Sequence, residues 1–375
     1  MRTQLTPDQL ARDLAVRDLT DPAAGPHALQ LVLDRAVTAL ADAWGCEVRW
    51  WRGDRIVSIA DNYDNLGYDS ADVTRDARYT RYVDGDRMLR SHSSAMIPAA
   101  LRSLAADPAE DVLLVCPGVV YRRDAIDRLH TGTPHQLDLW RLTRRTPPLG
   151  DADLDEMITA LLGALLPGAT DRREARVHPY TQRGRQVDVH RDGEWVEVAE
   201  CGLAHPGVLA KAGLDGSWTG LALGMGLDRM LMLLKGIPDI RLLRSAHPAV
   251  AAQLGDLSPY HPVSAMPPIR RDLSLAVDAD DFAEDLGDRV RDALGDEADS
   301  VESVEILRET PCAALPARAL TRLGARPDQK NVLVRIVLRH LRRTLSDHEA
   351  NLMRDRIYAA LHRGATHQWA ATGES

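Results

Sequence analysis

The sequence holds a single phenylalanine, Phe282, and only 4% aromatic residues. Core packing must therefore fall to leucine, valine and the few tyrosines and tryptophans. Lysine is as scarce: only Lys211, Lys235 and Lys330 occur, so nearly every cation is an arginine. Arginine keeps its charge and grips carboxylates and phosphates through paired hydrogen bonds. Both scarcities point to a bias in the coding sequence. Cys46, Cys116, Cys201 and Cys312 are scattered and form no C-x-x-C pair. That argues for reduced thiols and against a zinc site, so no metal-binding side chains are assigned. No apolar run approaches the roughly 18 residues of a membrane span. The opening M-R-T-Q-L-T-P-D-Q lacks the apolar core of a secretion signal. A cytoplasmic protein without a membrane partner is expected. Positive charge is short overall, with a formal net charge of −9. Nucleic acid binding would need a local basic face.

What is present has the balance of a soluble globular protein, 45% hydrophobic and 27% charged over 375 residues, with room for two or three domains. The most informative stretch is residues 220–245, G-L-A-L-G-M-G-L-D-R-M-L-M-L-L-K-G-I-P-D-I-R-L-L-R-S. Glycine weakens a strand, so Gly220, Gly224 and Gly226 mark places where something approaches the backbone closely. Residues 227–234 read as a mostly buried helix with Asp228 in its first turn, where the helix dipole favours a carboxylate. Lys235 and Gly236 end it, and Pro238 blocks continuation. Arg229 needs a partner. A structural ion pair with Asp228 or another acid and a guanidinium aimed at a polyphosphate both satisfy the spacing.

Upstream, residues 1–45 read as helical, with Leu29, Leu31, Val32, Ala36, Val37 and Leu40 at helical spacing. Residues 46–60 read as a hairpin turning at Gly53-Asp54. Residues 61–81, including D-N-Y-D-N-L-G-Y, are polar and rich in turn formers. Residues 112–115 read as a short buried strand, and 119–138 as two strands around a polar loop. Residues 151–166 form an amphipathic helix. Residues 175–181 and 186–189 read as a strand pair turning near Gly184, and 195–202 as a further strand. A polar helix over 248–257 leads to a linker rich in Pro259, Pro262, Pro267 and Pro268. Beyond it the order is strand 269–277, helix 282–294, strands 301–308 and 331–341, and a closing helix 346–362.

The block G-L-A-L-G-M-G-L-D-R-M with G-I-P-D-I-R resembles motif 3 of the class II aminoacyl-tRNA synthetases, and its tail resembles the phenylalanine enzymes. The segment V-V-Y-R-R-D-A-I-D followed by L-H-T-G-T-P-H-Q-L-D resembles their motif 2, and L-R-S-H-S-S-A their L-R-T-H-T-S-A. The resemblance covers roughly residues 85–370. It implies ATP and Mg²⁺ as cofactors and an amino acid and a tRNA as partners, in a monomer or homodimer. It implies that Arg122 clamps the α-phosphate and the reacting carboxylate, and that Arg229 binds the ATP tail over Gly224 and Gly226. Asp124 would read the adenine amino group, His130 would touch the phosphates, and Pro134 stands where the family stacks a phenylalanine on adenine. Gln136 and Asp138 would hold the substrate ammonium; the family's acid there is Glu. His92 and Ser94 would hold the amino acid's polar end, although S-H-S-S also suits a polar loop or cap. His178 and Tyr180 replace the two phenylalanines that line the family's ring pocket, and Ala222 corresponds to the small residue limiting its depth.

The implied fold class is α+β: a class II antiparallel sheet with flanking helices, plus a C-terminal ferredoxin-like domain of β-α-β-β-α-β order. The expected division is an N-terminal region over 1–85, a catalytic core over 86–257 and an anticodon-binding-like domain over 258–375. Arg335, Arg339 and Arg343 fall on strand spacing or at its end, and suit either a phosphate-facing stripe or a solvated face. Two further functions stay open. One is a paralogue that adenylates an amino acid for a non-translational acceptor. The other is a non-catalytic tRNA-binding protein.

Overall fold

The computed structural model describes residues 4–71, 75, 80–191, 193–263 and 267–366. Contacts divide the chain into two units. The first comprises Met1–Arg122, Thr133–Pro238 and Ala252–Tyr260; the second comprises Arg123–Gly132, Asp239–Ala251 and His261–Ser375.

In the first unit, α1 (Pro7–Ala15) starts at a capping box between Thr6 and Gln9. Helix α2 (Ala28–Trp44) ends at Gly45, whose φ of 61° is the left-handed conformation glycine adopts cheaply. It buries Leu29, Val32, Ala36, Val37 and Leu40 as expected. Leu31, expected with them, is exposed on the opposite side. Strands β1 (Glu47–Trp50) and β2 (Ile56–Ser58) do not form the expected hairpin. β1 pairs parallel with β4 (Asp111–Val119), and β2 pairs with β3 (Arg87–Leu89). The intervening backbone is drawn away, with the Trp51 amide bonded to the Val115 carbonyl and Arg90 bonded to the Gly53 carbonyl. Helix α3 (Ile59–Asn62) follows β2, and α4 (Ile97–Ala106) follows the S-H-S-S segment. Residues 72–74 and 76–79 of the polar stretch lie outside the described residues.

The main sheet runs β1-β4-β5-β9-β8-β7-β6, antiparallel except for the β1–β4 pair. Its members are β5 (His135–Thr143), β6 (Asp171–Ala175), β7 (Thr181–Arg191), β8 (Glu194–Ala204) and β9 (Thr219–Gly226), with α5 (Asp151–Leu165) between β5 and β6 and α6 (Pro206–Lys211) between β8 and β9. β4 runs on through Pro117-Gly118 to Val119, past residue 115 where the expected strand stops. β1 pairs only as far as Val115, so beyond it β4 has a neighbour on one side and Pro117 loses no ladder bond there. Helices α4 and α6 cover one face, against Val112, Leu114, Cys116, Trp140, Leu142 and Ala222. Helix α2 packs on β4, α5 and α7 (Leu227–Lys235). Strands β4 and β5 are therefore apolar at nearly every position rather than at alternate ones. The turn expected near Gly184 lies instead over residues 176–180; Gly184 is inside β7, where the pairing with β8 slips.

In the second unit, α8 (Pro248–Ala251) is shorter than expected because it gives way to a 3₁₀ turn over Ala252–Gly255 of the first unit. Strands β10 (Ile269–Asp278), β11 (Val301–Pro311) and β12 (Gln329–Leu338) form an antiparallel sheet in the order β10-β12-β11. Helices α9 (Ala283–Leu294) and α11 (Asp347–Leu361) pack together on it; α10 (Ala317–Leu323) joins β11 to β12. Leu273, Leu275, Val290, Val334, Ile336 and Ile357 are among its buried residues. The strand expected after α11 falls past Thr366, outside the described residues. The whole is α+β. Among the described residues no helix is long and apolar enough to cross a membrane.

Candidate active site

The glycines of β9 differ in what surrounds them. A Cβ at Gly220 would lie 2.7 Å from Leu142 and 2.8 Å from the Arg141 carbonyl, so that glycine serves packing between strands. At Gly224 the nearest atoms are the Asp138 carboxylate at 3.7 Å, and at Gly226 the Arg229 Cβ at 4.0 Å. Both are ordinary contact distances, so neither glycine is forced by crowding at the end of β9, where α7 begins.

Asp228 bonds His135 of β5. Its carboxylate accepts the His135 amide at 2.5 Å and meets His135 Nδ1 at 2.9 Å. His135 Nε2 accepts the Leu19 amide at 3.1 Å, so the proton sits on Nδ1 and is donated to Asp228. This buried bridge ties α7 to β5 and to the segment before α2. Arg229 is thereby turned toward β8, where its Nη1 donates to the Glu197 carbonyl at 3.2 Å.

β8 carries two carboxylates beside the arginines. Its pairing with β7 skips Val198: Val187 opposes Ala199 and Asp188 opposes Glu197. One extra residue rephases the strand, which brings Glu197 and Glu200 onto one side. Burial first, then Glu200, raises the Glu197 carboxyl, with Arg229 pulling it down. Burial raises Glu200 as well, but His178, Arg176 and Arg122 outweigh it and hold it low. Arg122 follows β4, and its Nε donates to the Ser91 carbonyl at 2.9 Å. Arg229 thus acts on Glu197 and Arg122 on Glu200, two neighbouring acids of β8.

Asp138 is buried inside β5. Its Oδ2 accepts Ser93 Oγ at 2.5 Å and Ser94 Oγ at 3.1 Å, and its Oδ1 accepts Trp140 Nε1 at 3.2 Å. Burial pushes this carboxyl up to about 6, against the three hydrogen bonds. Gln136 Oε1 accepts the Ser93 amide at 3.2 Å, so the side chains assigned to the ammonium share one loop. His92 stacks on Tyr68 with ring centres 5.8 Å apart, and its Nε2 lies 3.4 Å from Asn62 Nδ2. Burial, then the Arg122 charge, lowers this imidazole to about 3, so it is neutral at ordinary pH. Its Nδ1 is buried without a hydrogen-bond partner.

His178 and Tyr180 lie on the turn between β6 and β7. His178 Nε2 is 3.0 Å from Glu200 Oε2. Tyr180 stacks on His178 at 5.7 Å and on Trp140 at 6.2 Å, and tilts against Tyr68 at 6.3 Å. Burial, then Tyr68, Asp138 and Glu200, keeps its hydroxyl protonated. Ala222 stands opposite Trp140 on the neighbouring strand. Tyr68, Trp140, Asn62, Ser93, Glu197 and Glu200 were not assigned from sequence. The D-N-Y-D-N-L-G-Y stretch carried a signal in its two tyrosines between polar residues, and W-V-E-V-A-E in its two acids.

Pro134 belongs to the first unit, its carbonyl bonded to the Val120 amide. Asp124 and His130 belong to the second. Asp124 Oδ1 accepts the Ala125 amide, and His130 Nδ1 meets Asp127 at 2.7 Å. Of the arginines expected as a stripe, only Arg335 is on β12, which ends at Leu338. Arg335 pairs with Asp272 at 2.9 Å, Arg339 with Glu302, and Arg343 with Glu349 at 2.7 Å.

The sheet, its glycine-ended strand and the two arginines define a class II synthetase core. The chain belongs to that family: the model described as tRNA synthetases class II core domain (F) matches residues 13–254. It is 33% identical over 232 residues to the phenylalanine--tRNA ligase alpha subunit of Prochlorococcus marinus strain MIT 9313, covering 60% of this chain and 66% of that protein. To the same subunit of strain MIT 9312 it is 30% identical over 230 residues, covering 61% and 64%. The chain therefore spans just under two thirds of the length of these relatives. Among solved structures, a pyrrolysyl tRNA synthetase, Desulfitobacterium hafniense PylSc, is similar with a TM-score of 0.45 at 19% identity, covering 64% of this chain and 78% of that one.

Proposed function

We propose that the protein activates an amino acid with ATP as its aminoacyl-adenylate and passes it to the 3′ end of a tRNA, using a side-chain pocket altered from that of phenylalanine enzymes. The observation that carries this reading is that Arg229 acts on Glu197 and Arg122 on Glu200, two acids of β8, with Glu200 opposite Gly224 on β9. Two guanidiniums near a glycine-ended strand suit a polyphosphate. The substrate carboxylate would attack the α-phosphate in line. Arg122 and Arg229 would neutralise the charge that develops there, so the step needs positioning and electrostatics rather than a side-chain base.

Among the described residues no group of three or more His, Cys, Asp or Glu side chains can hold a metal alone. Mg²⁺ fits as an ion held mostly by phosphate oxygens, with Glu197 and Glu200 as the nearby carboxylates whose mutual repulsion a cation relieves. Bound there, it would supply further charge neutralisation at the phosphates. Asp138, Gln136 and Ser94 would receive the ammonium end. The relatives' names speak of phenylalanine; here the side chain would meet His178 and Tyr180. A phenyl ring can bond neither of them, so a hydrogen-bonding side chain is the better substrate.

A second reading keeps adenylation and changes the acceptor. It is favoured by Arg335, Arg339 and Arg343, each already paired with an acid of its own unit, in a chain of net charge −9. The test is amino-acid-dependent pyrophosphate exchange across all standard amino acids, followed by charging of total tRNA. Exchange with no amino acid would remove the adenylation reading; exchange without charging would favour the second acceptor. The stretch 258–375 is proposed to be the anticodon-binding-like domain of the first reading.

A further inference from the structure

Glu200 stands in a row of three. It lies opposite Gly224 on β9, and Gly224 lies opposite Asp138 on β5. Residues directly opposite on neighbouring strands share a face of the sheet, so the two carboxylates flank a bare glycine across two strand spacings, about 10 Å. Two residues along each strand, Trp140, Ala222 and Gly202 form the next row on the same face. The turn over residues 176–180 closes onto β8 through Gly184 and Gly202. A Cβ at Gly184 would collide with the Arg176 carbonyl oxygen, and one at Gly202 would lie 2.7 Å from the Thr181 Cβ. Such close approaches call for glycine. The turn brings His178 to Glu200, with Nε2 3.0 Å from Oε2. The approach is out of line, so Nε2 is buried without a hydrogen-bond partner on a side chain only 10% exposed. Thr181 Oγ1 lies 3.5 Å from Nδ1. A bare ring nitrogen would repel the carboxylate, so the proton sits on Nε2 and Nδ1 faces the hydroxyl. Burial works against the Glu200 charge, yet His178, Arg176 and Arg122 keep it an anion.

We infer that Glu200 and His178 together read the substrate side chain, and that the pocket selects an α-amino acid whose short side chain ends in a hydroxyl or carboxamide. The inference rests on the amino-acid-activation reading above and names its substrate class. A buried N–H without an acceptor is costly, and native structures nearly always supply one. The carboxylate only accepts and the Nε2–H only donates. A group that satisfies both must donate to one and accept from the other, as a hydroxyl or carboxamide does. An acidic side chain brings no donor for Glu200 and adds a like charge. An aliphatic chain or a phenyl ring leaves both groups unpaired. A cation offers His178 no acceptor and meets a carboxylate already matched by neighbouring cations. The span between Asp138 and Glu200 is partly taken up by their own side chains, which suits a short substrate.

The test uses the full-length protein with Glu200→Ala and Glu200→Gln. The glutamine variant, equal in size, carries the comparison if the alanine variant fails to fold. Glu47→Gln, at a pair with Arg49 on the edge strand β1, is the control. Threonine against valine and asparagine against aspartate are pairs matched in shape that differ in the donor. Pyrophosphate exchange gives kcat/KM for each, and calorimetric titration of the same amino acids without ATP gives their affinities. In the preferred pair, wild type should favour the donor-bearing member about 30-fold or more, the scale of a hydrogen bond to a charged group. Glu200→Ala should largely erase that preference. Glu200→Gln should weaken it, because its amide oxygen still accepts without the charge, and Glu47→Gln should leave it unchanged. A preference that survives in both Glu200 variants, or a wild type that takes valine or phenylalanine as well as any donor, would overturn the inference. If wild type exchanges with no amino acid, the adenylation reading falls and the calorimetric preference alone decides this one: a preference that Glu200→Ala erases upholds it, and equal affinities overturn it.

Discussion

Asp138 gives the sharpest physical test. Its carboxyl is 2% exposed, hydrogen-bonded only to neutral donors, and raised from about 3.8 to about 6 by burial. The native protein therefore holds this proton more tightly than the unfolded chain does. Stability from such a group is fully present below the unfolded value and lost as pH rises through the native one. At 1.36 kcal/mol per pH unit the full effect is about 3 kcal/mol, of which roughly 2.4 kcal/mol is lost between pH 4 and pH 7. Asp138→Asn removes the titration. The amide oxygen can accept both serines in place of Oδ2, but the amide nitrogen then faces Trp140 Nε1–H. That donor-on-donor contact costs about 1–3 kcal/mol at every pH. The readout is consequently the slope and not the offset. Urea unfolding of both proteins by tryptophan fluorescence, from pH 4 to pH 7, should show wild type losing roughly 2.4 kcal/mol relative to Asp138→Asn. A difference that stays flat across that range would refute the burial argument. If the same carboxylate also receives the substrate ammonium, KM for the amino acid should fall as pH rises through about 6 in wild type, and this step should vanish in Asp138→Asn.

Arg229→Ala should lower amino-acid-dependent pyrophosphate exchange about 100-fold or more, the scale of one lost charge-stabilising donor; an unchanged rate would remove Arg229 from the phosphate site. The double variant His178→Phe, Tyr180→Phe should shift kcat/KM toward phenylalanine by roughly 10- to 100-fold relative to the best polar substrate. Wild type that already prefers phenylalanine would mean these side chains do not read the substrate. Asp228→Ala leaves His135 Nδ1 and the His135 amide buried without their acceptor, and should destabilise the first unit by about 2–4 kcal/mol; a change under about 0.5 kcal/mol in urea unfolding would contradict the buried bridge.

Much of the framework was legible locally. The helix of residues 227–235 announces itself by an apolar run, an acid in its first turn and a glycine beyond its last, and such signals are read within one or two turns of chain. The amphipathic helix over residues 151–165 and the unpaired thiols are legible for the same reason. What fails is whatever depends on partners distant in sequence. The segment at 46–60 has the alternation of a hairpin, but β1 finds β4 and β2 finds β3, because each pairing depends on strands some 30 to 65 residues away. Asp138 reads as a carboxylate like any other until Ser93, Ser94 and Trp140 enclose it and burial moves its proton. Glu197 and Glu200, three apart, belong on opposite sides of a regular strand; the unpaired Val198 turns them together, and that slip is set by β7. Asp228 and Arg229 are neighbours in the chain, yet His135 takes one and β8 the other. The loop after Arg122 sits with the second unit because Ile126 is buried there and Gly287 lets the backbone close in. Sequence alone determined which chemical groups the protein has and the local elements that carry them; the tertiary structure decided which groups are charged, which meet, and which unit holds the loop after Arg122, because burial and long-range pairing exist only once the chain has folded.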